Sequence, residues 1–149
     1  MQERAGSTVS TSSCSILSVS PLPEDHDSLV ELLREYGWMI QTTATLAGAQ
    51  RALRERSFTL VVCESDLSPG RWKDVLSEIQ PLTKPPFLVV TSRTADEHLW
   101  AEALNLGAYD VLGKPFERVE VTRTLSMAWL HWMYLHGRAA GPLARGAGA

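Results

Sequence analysis

Four positions in this chain place a chemically capable side chain at the close of an apolar run: Ser20 after CSILSV, Glu64 after FTLVVC, Thr91 ending PPFLVVT, and Lys114 just past AYDVL. A carboxylate, hydroxyls and an ammonium gathered at strand ends could form a ligand or reactive site. At about 4 Å and an effective dielectric near 20, Glu64 and Lys114 would attract by roughly 4 kcal/mol before desolvation is subtracted. They are expected to face each other. Other chemistries lack their residues. His26, His98, His131 and His136 show no i, i+4 pairing, the SPGR turn at 68–71 lacks phosphate-loop spacing, and no Ser-His-Asp or Cys-His arrangement is legible.

The elements that must position these groups follow from periodicity. CSILSV (14–19), WMIQTT (38–43), FTLVVC (58–63), PPFLVVT (85–91) and AYDVL (108–112) read as strands. Between them lie helix-period segments. The first runs from about Asp27 to Tyr36 with Ser28 and Glu31 as a capping box and Gly37 as its stop, and the second is entered through Thr45. The third buries Trp72, Val75, Leu76 and Ile79. The fourth spans Ala95–Leu106, capped by Thr94 with Glu97, and the fifth runs from Phe116 to about Leu135. Five strands each followed by a helix need crossover connections, so they pair in parallel with helices on both faces. The expected fold is α/β, a doubly wound five-stranded parallel sandwich, in which sites form outside the C-terminal strand ends.

Length and composition agree with one domain. The chain has 149 residues, 44% hydrophobic and 21% charged, with a formal charge of −3. Mild acidity gives no footprint for nucleic acid or an anionic membrane. Val121–Leu135, the longest apolar-looking stretch, carries Arg123 and His131 and is shorter than the roughly 20 residues of a membrane helix. The N-terminus shows no apolar signal-peptide core, so a cytoplasmic location is expected. Residues 1–13 and 137–149 read as loose tails around a domain at 14–136. Cys14 and Cys63 match no zinc spacing, and neighbouring parallel strands would hold them roughly 15 Å apart, beyond disulfide reach.

Over residues 14–136 the chain resembles the receiver domain of bacterial response regulators. The resemblance is carried by SILSVS, FTLVVCESDLSPG, FLVVTSR and above all LGAYDVLGKPF. It implies a flavodoxin-like (βα)5 sheet of strand order 2-1-3-4-5. It also implies an aspartate that takes a phosphoryl group from a histidine kinase, a divalent metal held by an acidic pair, a Thr or Ser, and a Lys. Thr91 and Lys114 match. The acidic pair falls on Ser20 and Pro21 and the phosphoacceptor on Glu64, while Glu24 and Asp25, four and five residues past the strand end and beyond Pro21 and Pro23, are disfavoured as displaced substitutes for the pair. Asp66 is an alternative acceptor, but Leu67 three residues after Glu64 and the 50-residue interval to Lys114 favour Glu64.

The expected function is a degenerate receiver: a phosphorylation-independent protein-interaction module in two-component-type signalling, not an enzyme, with no cofactor and weak or absent Mg²⁺ binding. Two alternatives remain open. Glu64 or Asp66 could still accept a phosphoryl group, or the strand-end crevice could bind a small ligand. Glu64 itself could be a partial mimic of the phosphorylated state or half of a leftover ion pair. Partners are expected to be proteins, including a second copy, meeting a face built from Trp100, Tyr109, Val111, Trp129 and Trp132 on the fourth helix, fifth strand and fifth helix. Val111 stands where many receivers carry a switching aromatic.

Overall fold

The computed structural model describes residues 14–137. The regions expected as tails, 1–13 and 137–149, lie outside it except for Gly137, which closes the last helical turn. Five strands, β1 (Ser15–Val19), β2 (Met39–Thr43), β3 (Leu60–Glu64), β4 (Phe87–Ser92) and β5 (Asp110–Gly113), form one sheet in the order β2-β1-β3-β4-β5. Every neighbouring pair is parallel. The crossovers are α1 (Pro23–Leu32), α2 (Leu46–Glu55), α3 (Trp72–Ile79) and α4 (Glu97–Leu106), and α5 (Arg118–Trp132) follows β5.

Alternation along the strands divides the core into two layers. Leu17, Val19, Val61, Cys63, Leu88 and Val90 face α2, α3 and α4, where fully buried Trp72 anchors α3. Ile16, Leu60, Val62, Val89 and Leu112 face α1 and α5, meeting Leu29, Leu33, Val121, Leu125 and Ala128. Val19 pairs with Cys63, so Cys14 and Cys63 lie toward opposite ends of adjacent strands, and both are free and buried. Burial pushes the Cys14 thiol up to about 12, and it raises Cys63 as well.

Helix starts differ from the sequence reading. α1 begins at Pro23, several residues before Asp27, because proline's missing N–H costs nothing in the first turn and its fixed φ suits the helix. Ser28 and Glu31 therefore lie inside the helix rather than capping it. α1 ends at Leu32, and a 3-10 turn over Arg34–Tyr36 carries the chain to Gly37, whose φ of 66° is the left-handed conformation glycine tolerates. Asp96, not Thr94, caps α4, accepting from the Leu99 amide at 2.9 Å. Thr45 caps α2 as expected, accepting from the Gly48 amide. A Cβ at position 48 would stand 1.9 Å from Thr43 Oγ1, so a larger residue there needs the Thr43 side chain to move.

Candidate functional site

The same alternation that divides the core builds the site. Ser20, Glu64, Thr91 and Lys114 share strand parity with Ile16, Val62, Val89 and Leu112, so they continue the α1/α5 face past the apolar layer. Glu64 is the last residue of β3 and pairs in register with Thr91. Leu67, three residues further, is buried, which anchors the loop beyond Glu64.

Lys114 is the hub. Its ammonium donates to Glu64 Oε1 at 2.5 Å and to Asp25 Oδ2 at 2.7 Å, with only 5% of its side chain exposed. Asp25 Oδ2 also accepts the Ser20 hydroxyl at 2.6 Å, and Glu64 Oε1 accepts the Thr91 hydroxyl at a longer 3.3 Å. Desolvation draws the Lys114 pKa down, but hydrogen bonds and charge from Asp25 and Glu64 outweigh it, and the net shift is upward. Two carboxylates and one ammonium leave the cluster formally one charge negative.

Asp25, disfavoured by sequence as a displaced substitute, lies in the crevice against Ser20 and Lys114. Because α1 starts at Pro23, Asp25 falls in the first helical turn and curls back over the end of β1 rather than continuing away from it. The signal was present in the sequence: a proline at the helix start followed by acidic residues, the pattern favoured at a helix N-terminus. His26 locks the turn in place. One ring nitrogen lies 2.8 Å from Ser18 Oγ and the other 2.9 Å from the Ser20 carbonyl oxygen. His26 thus has a structural role that its isolation in the sequence concealed. Pro21 supplies no donor to the crevice. Asp66 is exposed on the β3–α3 loop, where its carboxylate accepts the Ser68 hydroxyl at 3.1 Å.

The strand-end donors differ from the acidic pair that the resemblance implies for a divalent cation. Magnesium demands hard anionic oxygens to offset dehydration, yet the two strand-end positions offer a committed hydroxyl and a proline. The Asp25 and Glu64 carboxylates already hold an ammonium. Among the described residues no group of three His, Cys, Asp or Glu side chains is placed to share a metal ion.

The five residues expected to make one interaction face are not one surface. Trp100 is half exposed on α4, but Val111 is buried in the core layer beneath it. Tyr109 stacks on Phe87 at 4.8 Å, Trp129 packs against Trp38 at 5.7 Å, and the Trp132 indole N–H donates to the Pro85 carbonyl at 3.0 Å. The physical reason is the reach of α5. Its last turns extend beyond the N-terminal ends of β2 and β4, and Trp129 and Trp132 cover those strand entries.

With this geometry in hand, comparison with known proteins places the chain. A family profile described as response regulator receiver domain matches residues 19–126. The chain belongs to the response regulator receiver family. It is 33% identical over 104 residues to the transcriptional regulatory protein ZraR of Escherichia coli O157:H7, a match covering 69% of this chain and 23% of that protein. The chain thus spans about a quarter of the curated relatives it matches.

Among solved structures it resembles the receiver domain of the sensor histidine kinase PA1611 from Pseudomonas aeruginosa PAO1, determined with a magnesium ion coordinated in the active-site cleft. The TM-score is 0.69 with 21% identity, covering 78% of this chain and 98% of that one. The beryllofluoride-activated NtrC4 receiver domain dimer gives a TM-score of 0.73 at 23% identity over 79% and 98%. These likenesses establish the fold, and family membership makes the chain a receiver domain of two-component signalling. No helix among the described residues is long and apolar enough to cross a membrane.

Proposed function

We propose that this receiver works as a phosphorylation-independent protein-interaction module in a cytoplasmic signalling pathway, with no catalytic turnover of its own. One observation supports this most: Lys114 satisfies Asp25 and Glu64 together, so the crevice holds an internal cation and a carboxylate longer than the family's aspartate. A displacement of about one methylene is large against near-attack geometry. Mg²⁺ binding in this reading is weak or absent, at most about millimolar. Glu64 supplies Thr91 and Lys114 with a fixed negative charge, smaller than the roughly −1.5 to −2 of a phosphoryl group. Protein partners read that static state, with half-exposed Trp100 on α4 as their contact.

The test is incubation with an acyl-phosphate donor and Mg²⁺ followed by intact mass. The expected spectrum is unchanged, and a mass gain of one phosphoryl group on Glu64 or Asp66 would overturn the proposal.

One observation favours a ligand reading. A cavity of about 290 Å³ between α1 and the β5–α5 loop is lined by Leu32 and Phe116 beside Asp25, Arg93 and Lys114, at the lower edge of the ~300–1,000 Å³ usual for small-molecule pockets. Loss of partner binding on occupancy of this cavity by a small anion would support it.

A further inference from the structure

The end of the sheet opposite the Lys114 cluster carries a cavity of its own. About 310 Å³ in volume, it lies where α2 ends and where the chain enters β3 and β4. Its walls are apolar: Leu53 of α2, Phe58 before β3, Leu82 of the α3–β4 loop and Pro86 before β4. Leu53 and Phe58 belong to the core layer beneath α2, α3 and α4, so the floor is fixed by packing. The charged lining has one sign. Arg56 and Lys84 stand at the cavity, and no carboxylate among the described residues lines it, in a chain where acidic residues outnumber basic ones.

We propose that this cavity binds a small organic anion with an apolar body, such as an aromatic carboxylate, its body against Leu53, Phe58 and Leu82 and its head group on Arg56 and Lys84. A volume at the lower edge of the ~300–1,000 Å³ usual for small-molecule pockets limits the ligand to a small one. Apolar walls with a few placed polar groups at the rim are the usual make-up of such a site.

Arg56 is placed before any ligand arrives. Its guanidinium donates to Gln41 Oε1 at 3.1 Å and to Met39 Sδ at 3.2 Å, and its central carbon sits 5.8 Å from the Phe58 ring centroid. Those partners are neutral and engage two of the five N–H donors, which leaves the charge and the remaining donors for an anionic oxygen. Lys84 makes no ion pair among the described residues. Both cations are exposed, so a ligand reaches them from solvent, and holding Arg56 in position lowers the ordering cost of binding. The cavity lies at the entries of β3 and β4, whose exits carry Glu64 and Thr91, and its occupancy does not depend on what the strand-end cluster accepts.

Titration of the isotope-labelled full chain with naphthoate, followed by amide chemical shifts, tests the proposal, with circular dichroism confirming that each variant is folded. Shifts should concentrate at Leu53, Phe58 and Leu82 and give a dissociation constant of about 1 mM or tighter, as expected for a ligand of this size. Neutral naphthamide, of the same shape, should bind roughly tenfold more weakly, and Arg56→Gln should cost about as much. Lys84→Gln should weaken binding by a smaller factor, whereas Arg123→Gln on α5 should leave it unchanged. Equal binding of the amide and the carboxylate, or full affinity in Arg56→Gln, would overturn the proposal. So would shifts centred on Leu32 and Phe116, which would put the anion in the cavity beside α1, or no shifts at about 10 mM naphthoate.

Discussion

Asp25 and Lys114 stand 89 positions apart in the chain and 2.7 Å apart in space, and their contact ties the first turn of α1 to the exit of β5. Ser20 and Glu64 complete the arrangement by engaging the same carboxylate and the same ammonium. The cluster therefore has one cation serving two carboxylates, so its members are not equivalent to removal.

Lys114→Met should cost about 3–5 kcal/mol, because it leaves the largely enclosed Asp25 and Glu64 carboxylates without the ammonium they share. Asp25→Asn should cost less, about 1–3 kcal/mol, since Glu64 still holds the ammonium and the amide can still accept the Ser20 hydroxyl. Urea unfolding monitored by circular dichroism orders the two. Equal losses would show that Asp25 and Glu64 do not share the cation.

The same cluster sets a response to alkali. The Lys114 pKa is raised in the folded state by Asp25 and Glu64 against an opposing desolvation. A group raised on folding contributes stability fully below its unfolded pKa, about 10.4 for lysine, and loses that contribution as pH rises through the higher folded value. Thermal stability should fall above about pH 10.5. The fall should be shallower in Lys114→Met, and parallel curves would remove Lys114 from the explanation.

If the proposed function holds, phosphoryl transfer should require more than an aspartate at the acceptor position. Glu64→Asp alone should remain unlabelled by an acyl-phosphate donor, because Ser20 and Pro21 still supply no strand-end carboxylate for the metal. The triple variant Ser20→Asp, Pro21→Asp, Glu64→Asp should gain one phosphoryl group in an Mg²⁺-dependent manner, read by intact mass. Labelling of the single variant would show that Asp25 already suffices as the metal's carboxylate.

Two tryptophans separate packing from surface. Trp72 is fully buried at the start of α3, and Trp72→Ala should cost about 3–5 kcal/mol in unfolding free energy. Trp100→Ala, on the exposed side of α4, should fall within about 0.5 kcal/mol of the parent. Comparable losses would place Trp100 inside the fold.

Much of this architecture was legible because continuous apolar strands such as LVVC and FLVV admit few alternatives to a sheet covered on both faces. The placement of Glu64, Thr91 and Lys114 followed from the strand ends alone. Asp25 was hidden because counting forward from β1 assumes an extended chain, whereas Pro23 starts a helix at once and reverses its course. Trp129 and Trp132 were misplaced for a related reason. Periodicity reveals which way a helix faces, but not how far its end overshoots the sheet, and that overshoot turns both indoles onto the chain's own strand entries. Thr94 lost the capping role to Asp96 two residues later, an offset within the usual imprecision of helix boundaries.

The Asp25–Lys114–Glu64 cluster also bears on the order of events in folding. Its three members come from the beginning, middle and end of the domain, so it can close only after β1, β3 and β5 have aligned, whereas turns such as the Thr45 cap form locally. Contacts of such long sequence separation carry the largest loop-closure cost and are the ones expected to form late. Substitutions at Lys114 should then leave the refolding rate nearly untouched and appear almost wholly as faster unfolding, making the cluster a latch on the lifetime of the native state.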